Sequence, residues 1–264
     1  MMIDSHVHID AKKYTEGEGV TNILDQAREA GVMRFVAPSL HFESFDNLLK
    51  IRETDPQVYP AAGIHPHEAS EQRCLDLARK LESAVSRLDV PIVGETGLEG
   101  HYDFVPMEVQ LASLRPHLAF ARVHDLPIIL HCRQTEELLY EELRRHPGLR
   151  GVVHCFTGTW EWARRFLELG FHIGITGIVT FKNSLQVQEV ASNVPQDRLL
   201  VETDGPYLAP IPFRGKINKP EYIPLIVKKI AELRGAPAAS VAAFTTENTE
   251  SLFGLKKHVG KGSV

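Results

Sequence analysis

Eight times along the chain a short apolar run is followed by a helix-forming stretch, and this alternation constrains the fold more than any other feature. The first run leads into Ile3-Asp4-Ser5-His6-Val7-His8, and the others lie at 32–37, 58–64, 90–94, 127–130, 151–153, 171–175 and 198–203. Helical periodicity follows at 20–30, 43–53, 71–88, 106–124, 135–146, 160–169 and 184–192. After a Pro-rich loop at 206–220 it returns at 221–234 and 237–253. Short continuous apolar runs are what parallel strands buried on both faces look like. Eight units in 264 residues give about 33 residues each, the size of a βα repeat. The pattern predicts an α/β chain folded as one (β/α)8 TIM barrel, a single domain over 1–254, with 255–264 as a mobile tail. An open doubly wound sheet is the alternative. It would carry Gly-x-Gly-x-x-Gly after a strand and gather function at one switch point, and neither holds here.

Composition narrows the function classes. Net charge is −5 with histidine neutral, so no strongly basic face for coating duplex DNA is expected. Any nucleic-acid chemistry must be local, with metal supplying the positive charge. No apolar run reaches the roughly 18 residues of a membrane span, and no secretory leader pattern opens the sequence. Cys74, Cys132 and Cys155 form neither an even framework nor a Cys-x-x-Cys. These features point to a reduced, cytoplasmic setting without membrane association or an obligatory protein partner.

In a barrel of this kind the site lies at the C-terminal ends of the strands. There stand His6 and His8 (first strand), His65 (third), Glu95 (fourth), His131 (fifth), His154 (sixth) and Asp204 (eighth). In an extended segment residues i and i+2 face one side, so His6 and His8 can aim at one point. Imidazole plus carboxylate without thiolate suits Zn, Mn, Co or Ni better than an all-oxygen Mg or Ca cage. Six ligands exceed one four-coordinate ion and suit two ions about 3.5–4 Å apart. Glu95 is the natural bridge. His6, His8 and Asp204 would share one ion, and His131 and His154 the other. A hydroxide held between two such ions is a nucleophile near neutral pH, with Asp204 placed to act as general base.

Several motifs in order carry a resemblance. They are Asp4-Ser5-His6-Val7-His8, Gly63-Ile64-His65-Pro66, Gly94-Glu95-Thr96-Gly97-Leu98, Leu130-His131-Cys132-Arg133, His154-Cys155-Phe156-Thr157-Gly158 and Glu202-Thr203-Asp204. With Arg214-Gly215-Lys216-x-Asn218 and Thr246-x-Asn248, they resemble the TatD family of metal-dependent deoxyribonucleases, within the wider amidohydrolase-type barrels. The resemblance spans Asp4 to Phe253. It implies a two-metal phosphodiesterase acting on exposed or single-stranded DNA ends. It also implies His6, His8, Glu95, His131, His154 and Asp204 as ligands, with Mg among the candidate ions. Glu95 and Asp204 are the catalytic carboxylates of this reading. Where the family continues Gly-Leu-Asp and an aromatic, this chain has Gly97-Leu98-Glu99-Gly100 and then His101-Tyr102; Gly205 follows Asp204 where Ser or Ala is usual. The rival substrate for the same barrel is a small cyclic amide, lactone or phosphoester.

Quieter residues have expected places. His65, Arg133, Arg214 and Lys216 are candidate substrate contacts. Glu202, two before Asp204, is expected deeper on the same side of its strand, supporting the ligands. Cys132 and Cys155 should face the helices as small apolar filler. Trp162 should pack in the core, and Trp160 could stack on a base.

Overall fold

The computed structural model describes residues 1–255. All eight strands form: β1 (Met2–Asp4), β2 (Val32–Pro38), β3 (Val58–Ala61), β4 (Val93–Glu99), β5 (Ile128–Arg133), β6 (Gly151–Val153), β7 (His172–Ile175) and β8 (Leu199–Val201). Neighbours pair in parallel in two runs, β1 to β3 and β4 to β8. Two seams close them into a barrel. At one, the Ala62 N–H donates to Ile92 O and the Gly94 N–H to Ala62 O. At the other, the Ser5 N–H reaches Val201 O, the Asp204 N–H reaches His6 O, and Val7 bridges Gly205.

The helices are α1 (Lys12–Thr15), α2 (Val20–Glu29), α3 (Phe42–Thr54), α4 (Glu71–Cys74), α5 (Leu77–Val85), α6 (Met107–Val123), α7 (Glu136–Arg144), α8 (Trp160–Glu168), α9 (Leu185–Asn193), α10 (Ile223–Arg234) and α11 (Ala238–Phe253). None is long and apolar enough to cross a membrane. The single helix expected at 71–88 is two, α4 and α5. Asp76 between them has φ +51°, and Leu75 is 65% exposed. Asp tolerates the left-handed region, so the chain turns there while the apolar periodicity runs on.

Alternation along the strands separates two apolar layers. Leu130, Val153 and Val201 join the large cluster beneath the helices. Ile129, Val152 and Leu200 join a smaller one with Ile3, Val36 and Ile92, sealed by Leu252, Phe253 and Leu255. The residues two further along, His131, His154 and Glu202, stand on that second side. Leu255, expected to begin a mobile tail, is buried and its N–H donates to Glu250 O. The remainder of that expected tail, 256–264, lies outside the described residues.

β4 departs most from expectation. It starts at Val93 rather than at residue 90 and runs to Glu99, so Glu95 lies within the strand. The pairing with β5 is irregular between Val93 and Thr96. Bulges of this kind re-aim side chains beside functional sites. Gly97 makes the pairing possible. Its φ is +149°, and a Cβ there would lie 2.0 Å from His131 O. Nearby, His117 on α6 is wholly buried; its Nδ1–H donates to Ser113 O at 2.7 Å and its Nε2 accepts the Ile64 N–H at 3.2 Å. Burial pushes its pKa down to about 4.

Two outcomes follow from this packing. Gly97→Ala should lose on the order of 3 kcal/mol or more through strain and overlap, read as a lowered urea midpoint. An unchanged midpoint would show that β5 can yield. For His117, the unfolded chain takes a proton near pH 6.5 and the folded chain only near 4. Stability is therefore full above 6.5 and falls by about 3 kcal/mol as pH drops to 4. The stability gap between wild type and His117→Gln, measured by urea unfolding, should shift by that amount between pH 7 and pH 4 in favour of the variant.

Candidate metal centre

The site is built around the Glu95 side chain, which has no solvent exposure. On one side, His6 Nε2 and His8 Nε2 lie 3.4 Å apart. They face Glu95 Oε2 at 3.3 and 3.6 Å and Asp204 Oδ1 at 3.7 and 3.6 Å. On the other side, Glu95 Oε1 is 2.6 Å from His154 Nε2, 3.1 Å from His131 Nδ1 and 3.5 Å from His65 Nε2. The His131 and His154 nitrogens are 3.3 Å apart. The His6 and His154 rings stack at 3.8 Å across the centre. The six ligands read from the sequence are thus brought together, and the carboxylate divides its two oxygens between two groups of donors.

These residues fit divalent ions. Ligands bonded at 2.0–2.2 Å in a tetrahedron sit about 3.3–3.6 Å from one another, close to the spacings around His6 and His8. Glu95 Oε2 is buried and accepts no hydrogen bond. An acceptor left so costs about 1–3 kcal/mol or more, which a cation would offset. His6, His8 and Asp204 form one group able to hold an ion, His65, Glu95 and His131 another, and His6, Glu95 and His154 a third that shares a member with each. His65 therefore stands among the donors, nearer the centre than a contact reserved for substrate.

Electrostatics divides the histidines. Burial lowers His6, His8 and His65 below the ordinary histidine value, which keeps them neutral and ready to ligate. Burial also opposes charge on His131 and His154, but for His131 the hydrogen bonds to Glu95 and Glu99 outweigh it. For His154, Glu95 and Glu202 do so, lifting it well above the usual range. Burial likewise opposes charge on Glu95, yet the charge on His154 and the hydrogen bond from His131 hold it well below the carboxylate range. The protons beside Glu95 Oε1 stand where an ion would replace them. Burial pushes Asp204 up to about 6.

The surroundings fix these side chains. Asp4 is fully buried and accepts the Thr203 N–H at 2.9 Å and the His6 N–H at 3.3 Å, tying the His6 segment to the strand end that carries Asp204. Glu202 is deeper than Asp204, as expected. One oxygen accepts the Cys155 N–H and lies 3.6 Å from His154 Nδ1, an electrostatic contact just beyond hydrogen-bond length. The other is 3.2 Å from Ser5 Oγ. Cys132 is buried on the helix side, as expected. Cys155 is not: its φ is +43° and its backbone serves Glu202. Trp160 and Trp162 both pack on the core.

Arg133, Arg214 and Lys216 do not reach the donor cluster. Each rests on an aromatic ring, Tyr102, Phe181 and Phe213 respectively. Sequence reasoning missed Glu99, His67 and Asp4. Glu99 is 1% exposed, and its Oε2 lies 3.3 Å from both His131 Nε2 and His67 Nε2. By accepting the His131 Nε2–H, Glu99 fixes the ring so that Nδ1, which faces Glu95 Oε1 at 3.1 Å, would offer its lone pair once an ion displaces its proton, the usual way a carboxylate orients a ligand histidine. Its spacing of four from Glu95 on an extended run would have signalled one face, had β4 been extended past residue 94.

A family model described as TatD related DNase matches residues 3–254. The chain is 36% identical over 257 residues to the metal-dependent hydrolase YabD of Bacillus subtilis (strain 168), covering 96% of this chain and 99% of that protein. It superposes with a TM-score of 0.88 on the crystal structure of YjjV, a TatD homologue from Escherichia coli K12, at 33% identity, covering 97% and 98% of the two chains. A TatD family hydrolase from Entamoeba histolytica, at 20% identity and a TM-score of 0.82 over 96% of this chain and 97% of that one, shares the fold.

Glu99→Gln keeps an acceptor for the loop but can turn an amide N–H toward His131, disfavouring the ligating tautomer. Calorimetric titration with Mn²⁺ should show about 10–100-fold weaker binding at the His131 group. Affinity within twofold of wild type would remove Glu99 from that role.

Proposed function

From the premise that the chain belongs to the TatD-related DNase family of metal-dependent hydrolases, we propose that it is a deoxyribonuclease. In this reading it hydrolyses phosphodiester bonds at exposed or single-stranded DNA ends, using two divalent ions per chain drawn from Zn, Mn, Mg, Co or Ni. The observation that carries the reading is the division of the Glu95 oxygens between the His6–His8–Asp204 group and the His131–His154–His65 group. Two bridged ions when bound would supply Lewis acidity at the phosphoryl oxygens and lower the pKa of water.

The chain's own residues do the rest. Glu95 holds the two donor groups in register and neutralises part of their charge. Asp204 Oδ1 faces the His6 and His8 nitrogens at the edge of the cluster, with a side chain 15% exposed. It is the donor closest to solvent on its side, and so can take the proton from an attacking water. In-line attack at phosphorus then breaks the P–O3′ bond, and the departing 3′-oxygen takes a proton from Asp204 or from solvent. Depth also matters: His6, Glu95 and His154 are each at most 3% exposed, so charge developing on the phosphoryl group meets little competing water. Net charge of −5 favours short ends over long duplex tracks. The three free cysteines suit the cytoplasm, where this reading places the chain.

Chelation should abolish cleavage of a single-stranded oligonucleotide, and Mg²⁺, Mn²⁺ or Co²⁺ should restore it to different extents. Asp204→Asn should lower kcat by about 10²–10⁴-fold while leaving the unfolding temperature near wild type. Hydrolysis of a small lactone or ester with no cleavage of DNA would overturn the nuclease reading.

A further inference from the structure

The loop between β4 and α6 carries two exposed aromatic rings at the mouth of the barrel. Tyr102 is 42% and Phe104 65% exposed, and their rings are stacked 5.0 Å apart at 7°. The Arg133 guanidinium lies 4.9 Å from the centre of the Tyr102 ring. Phe104 also meets His67 edge-on at 4.9 Å, and His67 neighbours His65 and His131 of the metal centre. Large apolar rings left in water next to a site, with a cation alongside, are what a ligand with a flat face and a negative charge recognises.

The shelf is built rather than incidental. Glu99 Oε1 accepts the N–H groups of His101 and Tyr102, while its other oxygen faces His131 and His67. Gln110 on α6 is 2% exposed; it accepts the Glu99 N–H at 2.8 Å and donates to Glu99 O and Val105 O. The Gly100 N–H donates to Arg133 O at 2.8 Å. The rings are thus anchored on both flanks to the strands that carry Glu95 and His131. In the segment after β8, Tyr207 is exposed under Lys13, while Phe213 and Tyr222 stack 4.3 Å apart with Lys216 alongside but are only partly exposed.

We propose that Tyr102 and Phe104, with Arg133, form a stacking subsite for one nucleobase next to the scissile phosphodiester, on the His131 side of the centre. The inference rests on the nuclease reading above and adds where a base is held. A base lying on the paired rings keeps the strand single there, and Arg133 is placed for an adjoining phosphate. Because every base has a flat face, the subsite tolerates any sequence, and a nucleotide that lacks a base forfeits the stacking there.

The test uses the metal-loaded protein and single-stranded oligonucleotides in which one tetrahydrofuran abasic residue is walked through the positions around the cleaved bond. For wild type, kcat/KM should fall about tenfold or more when the base is missing at one position. In the Y102A/F104A double variant the fall at that position should shrink to within twofold, with the change carried by KM. Tyr102→Phe, which keeps the ring, should retain the wild-type fall. Each ratio is internal to one protein, so a variant of reduced stability still reports it. A fall that is equal in wild type and double variant would overturn the stacking subsite and leave the nuclease reading standing. Failure of wild type to cleave any oligonucleotide would overturn both.

Discussion

A carboxylate without solvent exposure, faced by five imidazoles, is the interaction on which the rest of this molecule depends. Burying a lone carboxylate is costly enough that the group would ordinarily take up a proton. Glu95 remains ionised because His154 and the hydrogen bond from His131 outweigh its burial. Removing one partner leaves charge uncompensated, and collecting five histidines around one point demands that many strands end there. The closed barrel meets that demand, since its strand ends converge on a single mouth.

The scaffold spends its alternation on this convergence. One residue along β5, β6 or β8 seals the barrel interior, and the residue two further on reaches the centre or its support: Ile129 with His131, Val152 with His154, Leu200 with Glu202. The intervening Leu130, Val153 and Val201 attach the helices. A shift of one residue in any of these strands would exchange the roles. The seam between β8 and the His6 segment, reinforced by Asp4 on Thr203, therefore aligns the site as well as closing the barrel.

The fold and the donor set were legible in the sequence for one reason. Buried parallel strands are short and apolar, and a His, Glu or Asp interrupting such a run stands out. The same logic failed where strand and loop share composition. β4 continues through Gly97 and Glu99, residues that read as a turn, so the carboxylate that orients His131 went unseen. Asp4 was hidden by proximity to His6, because only the folded chain brings Thr203 to it. The break at Asp76 left the periodicity on either side intact. Arg133, Arg214 and Lys216 were recognisable as cations, but sequence could not show that each leans on an aromatic ring. Local chemistry reads well from sequence; partners distant along the chain do not.

The central claim is that Glu95 joins two ion sites. Anomalous diffraction from crystals of the Mn²⁺-loaded protein tests it most directly. The account predicts two peaks, one beside Oε2 of Glu95 among His6, His8 and Asp204, the other beside Oε1 among His131, His154 and His65. A single peak that leaves one Glu95 oxygen without an ion, or peaks remote from Glu95, would contradict it.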